Sequence, residues 1–190
     1  LRKIIVQMSV SLDGYFEGPD RDISWHQISE EAHQDVNDFL RTMSAFLQGR
    51  VVHELMVDYW PEADQAPDAG PAERDFAAIY REMPKYVYSS TYDNTAWNAT
   101  MVRTVDPEEV RVLKEQPGGD MVVGGGNLVE SFLKHDLIDE WRLYVVPVIL
   151  GAGRRLFPDG VRTPLRLTQS HVFDNGVILT RYARVARSEG

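Results

Sequence analysis

The chain has 190 residues, 43% of them hydrophobic, with 29 acidic and 20 basic side chains, a net charge of −9 and no cysteine. That length and apolar content predict a single folded domain over residues 1–190 and argue against disorder. The acidity argues against a nucleic-acid partner, the missing cysteines exclude disulfides and thiolate chemistry, and no apolar run approaches the roughly 20 residues that span a membrane.

Lys3–Val10 is a β-branched run and predicts a buried strand. Ser29–Thr42 predicts a helix. Ser29 opens a partial capping box, with Ala32 where Glu would complete it, and Ala32, Val36, Phe39 and Leu40 recur at helical spacing. Ala45–Gln48 predicts a short strand ending at Gly49-Arg50, and Val51–Tyr59 a helix. Pro61–Pro71, rich in Pro, Ala, Asp and Gly, predicts a loop. Ala72–Glu82 predicts a helix, Tyr86–Ser89 a strand, and Glu108–Glu115 a helix opened by Pro107 and stopped by Pro117-Gly118-Gly119. Met121–Val123 predicts a strand, Asn127–His135 a helix and Trp141–Leu150 a long strand. Leu165–Phe173 and Val177–Val185 flank Asp174-Asn175-Gly176, which predicts a two-residue hairpin turn. Strand–helix units first and a hairpin last predict an α/β fold whose sheet is mostly parallel with an antiparallel C-terminal edge.

The run Gly124-Gly125-Gly126 lies between an apolar strand and a helix. Absent side chains let phosphate oxygens approach backbone N–H groups, and the first helical turn offers more of them. The alternative is a tight strand–helix turn that needs positive φ. Neither the Rossmann fingerprint nor the Walker pattern is present. The histidines show no metal-ligand spacing, so no metal site is expected.

The stretch Met121–Phe157 runs through the glycine run, Leu137-Ile138-Asp139-Glu140, an apolar strand with Pro147, then Leu150-Gly151-Ala152-Gly153 and Leu156-Phe157. It resembles the C-terminal reductase domain of the bifunctional riboflavin-biosynthesis deaminase-reductase. Ser9–Tyr15, Gly49–Glu54 and Ser89-Ser90-Thr91 resemble further parts of that family. The family's zinc deaminase domain needs cysteines and has no counterpart here.

The resemblance implies a dihydrofolate reductase-like, three-layer α/β/α fold and an NADPH-dependent reductase of a small, flat heterocyclic substrate. The nearest named activity is 5-amino-6-(5-phosphoribosylamino)uracil reduction. A pterin or dihydrofolate reductase and a non-catalytic NADPH-binding module of the same fold are the alternatives. Gly124, Gly125, Gly126 and Asn127 would hold the cofactor pyrophosphate. Arg50, at a helix start after the turn residue Gly49, would face the adenosine 2′-phosphate; Ser90 and Thr91 would donate hydroxyls to that phosphate or to the ribose, or simply cap the following turn. Asp13 is a catalytic candidate, or simply an Asx turn. Glu30 follows Trp25 at the spacing of the pterin-binding carboxylate, or simply sits at a helix N-terminus. Trp25 and His26 are the substrate-binding candidates. Trp141, Leu143, Val145 and Ile149 alternate, and the resemblance places a homodimer contact near that strand. A cytoplasmic location is expected.

Overall fold

A computed structural model describes residues 1–185. In chain order the elements are β1 (Ile4–Ser11), β2 (Tyr15–Glu17), α1 (Glu30–Leu40), β3 (Met43–Gly49), α2 (Arg50–Tyr59), α3 (Pro71–Glu82), β4 (Lys85–Tyr88) and β5 (Ala99–Val102). There follow α4 (Pro107–Glu115), β6 (Asp120–Gly124), α5 (Gly126–Lys134), β7 (Glu140–Val146), β8 (Arg154–Arg155), β9 (Leu165–Val172) and β10 (Ile178–Arg184). The main sheet has the order β5-β4-β3-β6-β1-β7-β10-β9. Its first six strands run parallel, and β10 and β9 are added antiparallel to their neighbours.

The central strands read as unbroken apolar runs because both faces are covered. Ile4, Val6, Ala45, Leu47, Met121, Val123, Trp141 and Leu143 pack on one face with α4 and α5. Ile5, Phe46, Val122, Tyr144 and Val146 pack on the other with α1 and α3. The result is the three-layer α/β/α arrangement expected of a dihydrofolate reductase-like fold. The predicted helix at Ser29 starts as its cap requires, with Ser29 Oγ accepting from Ala32 N at 3.2 Å.

Several boundaries differ from expectation. The predicted strand Trp141–Leu150 stops at Val146, because Pro147 has no N–H for a ladder. Ile149 lies beyond it and is exposed. The strand also lies inside the sheet, between β1 and β10, so it offers no open edge to a partner. The predicted Pro61–Pro71 loop begins inside a 3₁₀ turn, Trp60–Gln65. The hairpin connection between β9 and β10 has five residues, 173–177: Phe173 N donates to Val177 O and Gly176 N to Phe173 O, with Gly176 at φ +83°. β2, β5 and β8 are strands that the residue pattern does not announce. Among the described residues, no helix is long and apolar enough to cross a membrane.

Candidate active site at the carboxyl ends of the parallel strands

β4, β3, β6 and β1 are adjacent and parallel, so the turns that follow them share one edge of the sheet. Gln48 of β3 pairs with Gly124 of β6, which sets the starts of α2 and α5 side by side. Neither helix has a side-chain cap. Two sets of first-turn N–H groups therefore converge on one place, each carrying the partial positive charge of its helix.

The three glycines differ in what they do. Gly125 takes φ +96°, and a Cβ there would come within 3.0 Å of Val52 and 3.7 Å of Gly49 N. Gly126 lies under the Phe16 ring, where a Cβ would fall 2.1 Å from Cζ. These two have local structural reasons. A Cβ on Gly124 would meet nothing within 4 Å, so the space beside it is open. The residues thus fit a bound phosphate: an open cradle floored by glycine and walled by two uncapped helix starts.

The other predicted cofactor residues line up along the same edge. Arg50 opens α2 and is half exposed, paired to Glu54 one turn on at 3.0 Å. Ser90 and Thr91 are exposed beyond the end of β4. Ser89 organises that turn, its Oγ accepting from Thr91 N at 3.3 Å and Tyr92 N at 3.0 Å. The hydroxyls of Ser90 and Thr91 are therefore not needed to cap it. Asn127 is exposed at the first turn of α5, and its Oδ1 accepts from Arg154 Nη2.

The predicted catalytic and substrate residues are placed differently. Asp13 follows β1 at the right edge, and three donors meet its carboxylate. Oδ1 accepts from Ser11 Oγ at 2.7 Å and Leu150 N at 3.1 Å, and Oδ2 from Gly151 N at 2.8 Å. The Ser11 hydroxyl, with the two amides, holds its pKa down to about 2. Asp13 is thus an ionised clamp on the 150–151 turn. Glu30 is exposed at the start of α1, and its Oε1 accepts from Ala72 N at 3.0 Å in the first turn of α3. It thus satisfies an open N–H at the start of α3, a different helix from the one it opens.

Trp25 is a core residue at 8% exposure, packed with the cluster of Ile5, Ala32 and Val146, its Nε1 donating to Asp22 O at 3.0 Å. His26 is partly buried, with Nε2 donating to Phe16 O at 3.1 Å. Burial lowers its pKa. Two residues absent from the sequence expectations complete the site: Phe16, lying on Gly126, and Arg154, reaching Asn127. Nothing in their spacing announces either contact.

A groove of about 450 Å³ lies elsewhere, between α1 and the β9–β10 hairpin. Glu30, Glu31, Asp35 and Asp38 line it. Its acidity opposes a polyanion, and β1, β7 and β10 separate the hairpin strand β9 from β6. Among the described residues, no cluster of three or more metal-ligating side chains occurs.

The class of protein that this sheet defines is the dihydrofolate reductase-like fold. The structure superposes with a TM-score of 0.76 on a putative riboflavin biosynthesis protein from Shewanella sp. PV-4, covering 97% of this chain and 99% of that one at 20% identity. It superposes with a TM-score of 0.63 on dihydrofolate reductase from Enterococcus faecalis complexed with NADP(H), covering 96% of each chain at 14% identity. The chain belongs to the RibD C-terminal domain family, whose model matches residues 2–179. Among its relatives is the uncharacterized protein YyaP of Bacillus subtilis (strain 168), 32% identical over 183 residues, 95% of this chain and 94% of that one. Another is the uncharacterized protein YwjB of the same organism, 28% identical over 182 residues, 94% of this chain and 96% of that one.

Proposed function

We propose that this chain is a cytoplasmic, NADPH-dependent reductase of a small, flat heterocycle, acting as one domain over residues 1–190. Reduction of 5-amino-6-(5-phosphoribosylamino)uracil is the nearest named activity. The observation that carries the reading is the pair of uncapped helix starts at Gly49-Arg50 and Gly125-Gly126, joined by the Gln48–Gly124 register. Gly124, Gly125, Gly126 and Asn127 would hold the pyrophosphate, and Arg50, Ser90 and Thr91 the adenosine 2′-phosphate and ribose. A local site of this kind is needed, because a chain of net charge −9 repels a polyanion at long range.

When bound, the cofactor supplies a hydride, and the protein supplies orientation and a water-excluding surface. Phe16 covers Gly126 and gives the cradle an apolar wall. Asp13 and Glu30 act through the backbone groups they hold, as positioning residues. The pterin reading needs the Glu30 carboxylate at substrate, and its bond to Ala72 N favours the first reading over it.

The test is NADPH oxidation, followed by absorbance, across ribosylamino-pyrimidines and pterins. Turnover of a pyrimidine is the expected result. Turnover of dihydrofolate alone would replace the proposal with the pterin reading, and binding without turnover with the non-catalytic module.

We also propose that the chain is a homodimer, with the contact on β9 in place of β7. β9 is the last strand of the sheet, is exposed along its length, and shows Leu167 and Val172 to solvent.

A further inference from the structure

We propose that Arg154 is the cation of the glycine cradle, and that it binds the pyrophosphate common to NADPH and NADH. The proposal rests on the cofactor reading above.

Arg154 reaches the mouth of α5 from a distant part of the chain. Its Nη2 donates to Asn127 Oδ1, in the first helical turn. Its guanidinium lies 5.3 Å over the Phe16 ring, and Phe16 lies on Gly126. The guanidinium therefore sits beside the N–H groups that an anion would use. Two carboxylates form long ion pairs with it. Glu130 is 3.6 Å away and Glu17 4.0 Å. Charge-assisted hydrogen bonds are shorter, about 2.7–2.9 Å. Glu130 is also shared with Lys134 at 2.7 Å. A guanidinium has five N–H donors in a planar fork that matches phosphate. A neutral amide and two long ion pairs hold it in place, with its side chain 39% exposed. The pyrophosphate bridge of either cofactor carries two negative charges, one on each phosphate, and presents paired oxygens that the fork can meet at direct hydrogen-bond distance.

The fold delivers this side chain with unusual insistence. β2 and β8 pair, with Glu17 opposite Arg154 and Tyr15 opposite Arg155. Leu156 N donates to Gly14 O at 3.0 Å. Gly153 lies against the β2 backbone so closely that a Cβ would fall 2.2 Å from Glu17 O. The Asp13 carboxylate holds Leu150 N and Gly151 N just upstream. The segments after β1 and after β7 are thus fastened to one another at both ends. What they present between them is Phe16 and Arg154, over the start of α5. Such fastening gives a reason for the Leu150-Gly151-Ala152-Gly153 turn. The turn does not touch the cradle, and it places the residue that does.

Arg50 and Arg154 then divide the cofactor. Arg50 sits at the start of α2, on the expected 2′-phosphate side, and Arg154 at the start of α5, on the pyrophosphate side. The test is a fluorescence titration of wild type, Arg50→Ala, Arg154→Ala, Arg154→Lys and Glu130→Gln with NADPH and with NADH, at two salt concentrations. Arg154→Ala is expected to weaken both cofactors equally, by about 10- to 100-fold, the range for losing a charged hydrogen bond. Its binding should also depend less on salt. Arg154→Lys keeps the charge and should recover part of the loss. Arg50→Ala should weaken NADPH and leave NADH nearly unchanged. Glu130→Gln removes an ion-pair partner of Arg154 and a nearby negative charge, and should tighten both. Wild-type affinity in Arg154→Ala, or a loss confined to NADPH, would overturn the assignment. If Arg154→Ala does not fold, unchanged affinity in both Arg154→Lys and Glu130→Gln overturns it. Failure of wild type to bind either cofactor would instead overturn the reading on which it rests.

Discussion

Asp13 shows how a single carboxylate can hold a distant turn. Three donors hold it ionised, with a pKa near 2. A carboxyl whose folded pKa is depressed adds stability above its ordinary value, and that stability is lost as pH falls through the folded value. Asp13→Asn keeps the shape and removes the charge. Its melting temperature should lie below wild type at neutral pH, and the gap should narrow between about pH 4 and pH 2. A thermal melt series across that range checks the sign. The turn at Leu-Asp-Gly was legible, but not as an Asx turn of Asp13, because Tyr15 N donates to Ser11 Oγ. The partners of Asp13, Leu150 and Gly151, were not legible, because they lie 137 and 138 residues away. Arg154 was invisible for the same reason. Gly126 could be read as part of a phosphate turn, but the ring that lies on it could not.

At the scale of elements, α1 is tied to the sheet by a buried polar contact. Arg142 on β7 is 4% exposed and pairs with Asp35 of α1. Tyr144 OH donates to the same carboxylate at 2.7 Å, and the guanidinium lies 4.6 Å over the Phe39 ring. Removing Asp35 leaves Arg142 buried without its carboxylate. Asp35→Ala is expected to cost about 3 kcal/mol in denaturant unfolding. Arg142→Met with Asp35→Ala, which removes both charges, should cost less. A double variant worse than the single one would show that the pair itself stabilises the helix.

Long elements with one dominant period were legible. The continuous runs at Ile4–Val6 and Met121–Val123 announce strands covered on both faces, and Ala32, Val36, Phe39 and Leu40 announce an amphipathic helix. β2 and β8 have three and two residues and exist only because distant backbone pairs them. The end of β7 was overrun because apolar residues continue past Pro147, out to an exposed Ile149.

At the scale of the molecule, the main sheet ends on β5 at one edge and on β9 at the other. β9 exposes all eight of its residues, while β7 is interior. Light scattering on a sizing column should give twice the 21.6 kDa chain mass. Leu167→Glu with Val172→Glu should give the monomer. A monomeric wild type would remove the dimer from the account, without touching the cradle.

The central claim is that the strand-end cradle holds a nicotinamide cofactor and prefers the phosphorylated form. The direct measurement is a titration of the purified chain with NADPH and NADH, read by energy transfer from its tryptophans. The account predicts saturable binding of NADPH in the micromolar range and weaker binding of NADH. No binding of either below millimolar concentration, or equal affinity for the two, would contradict it.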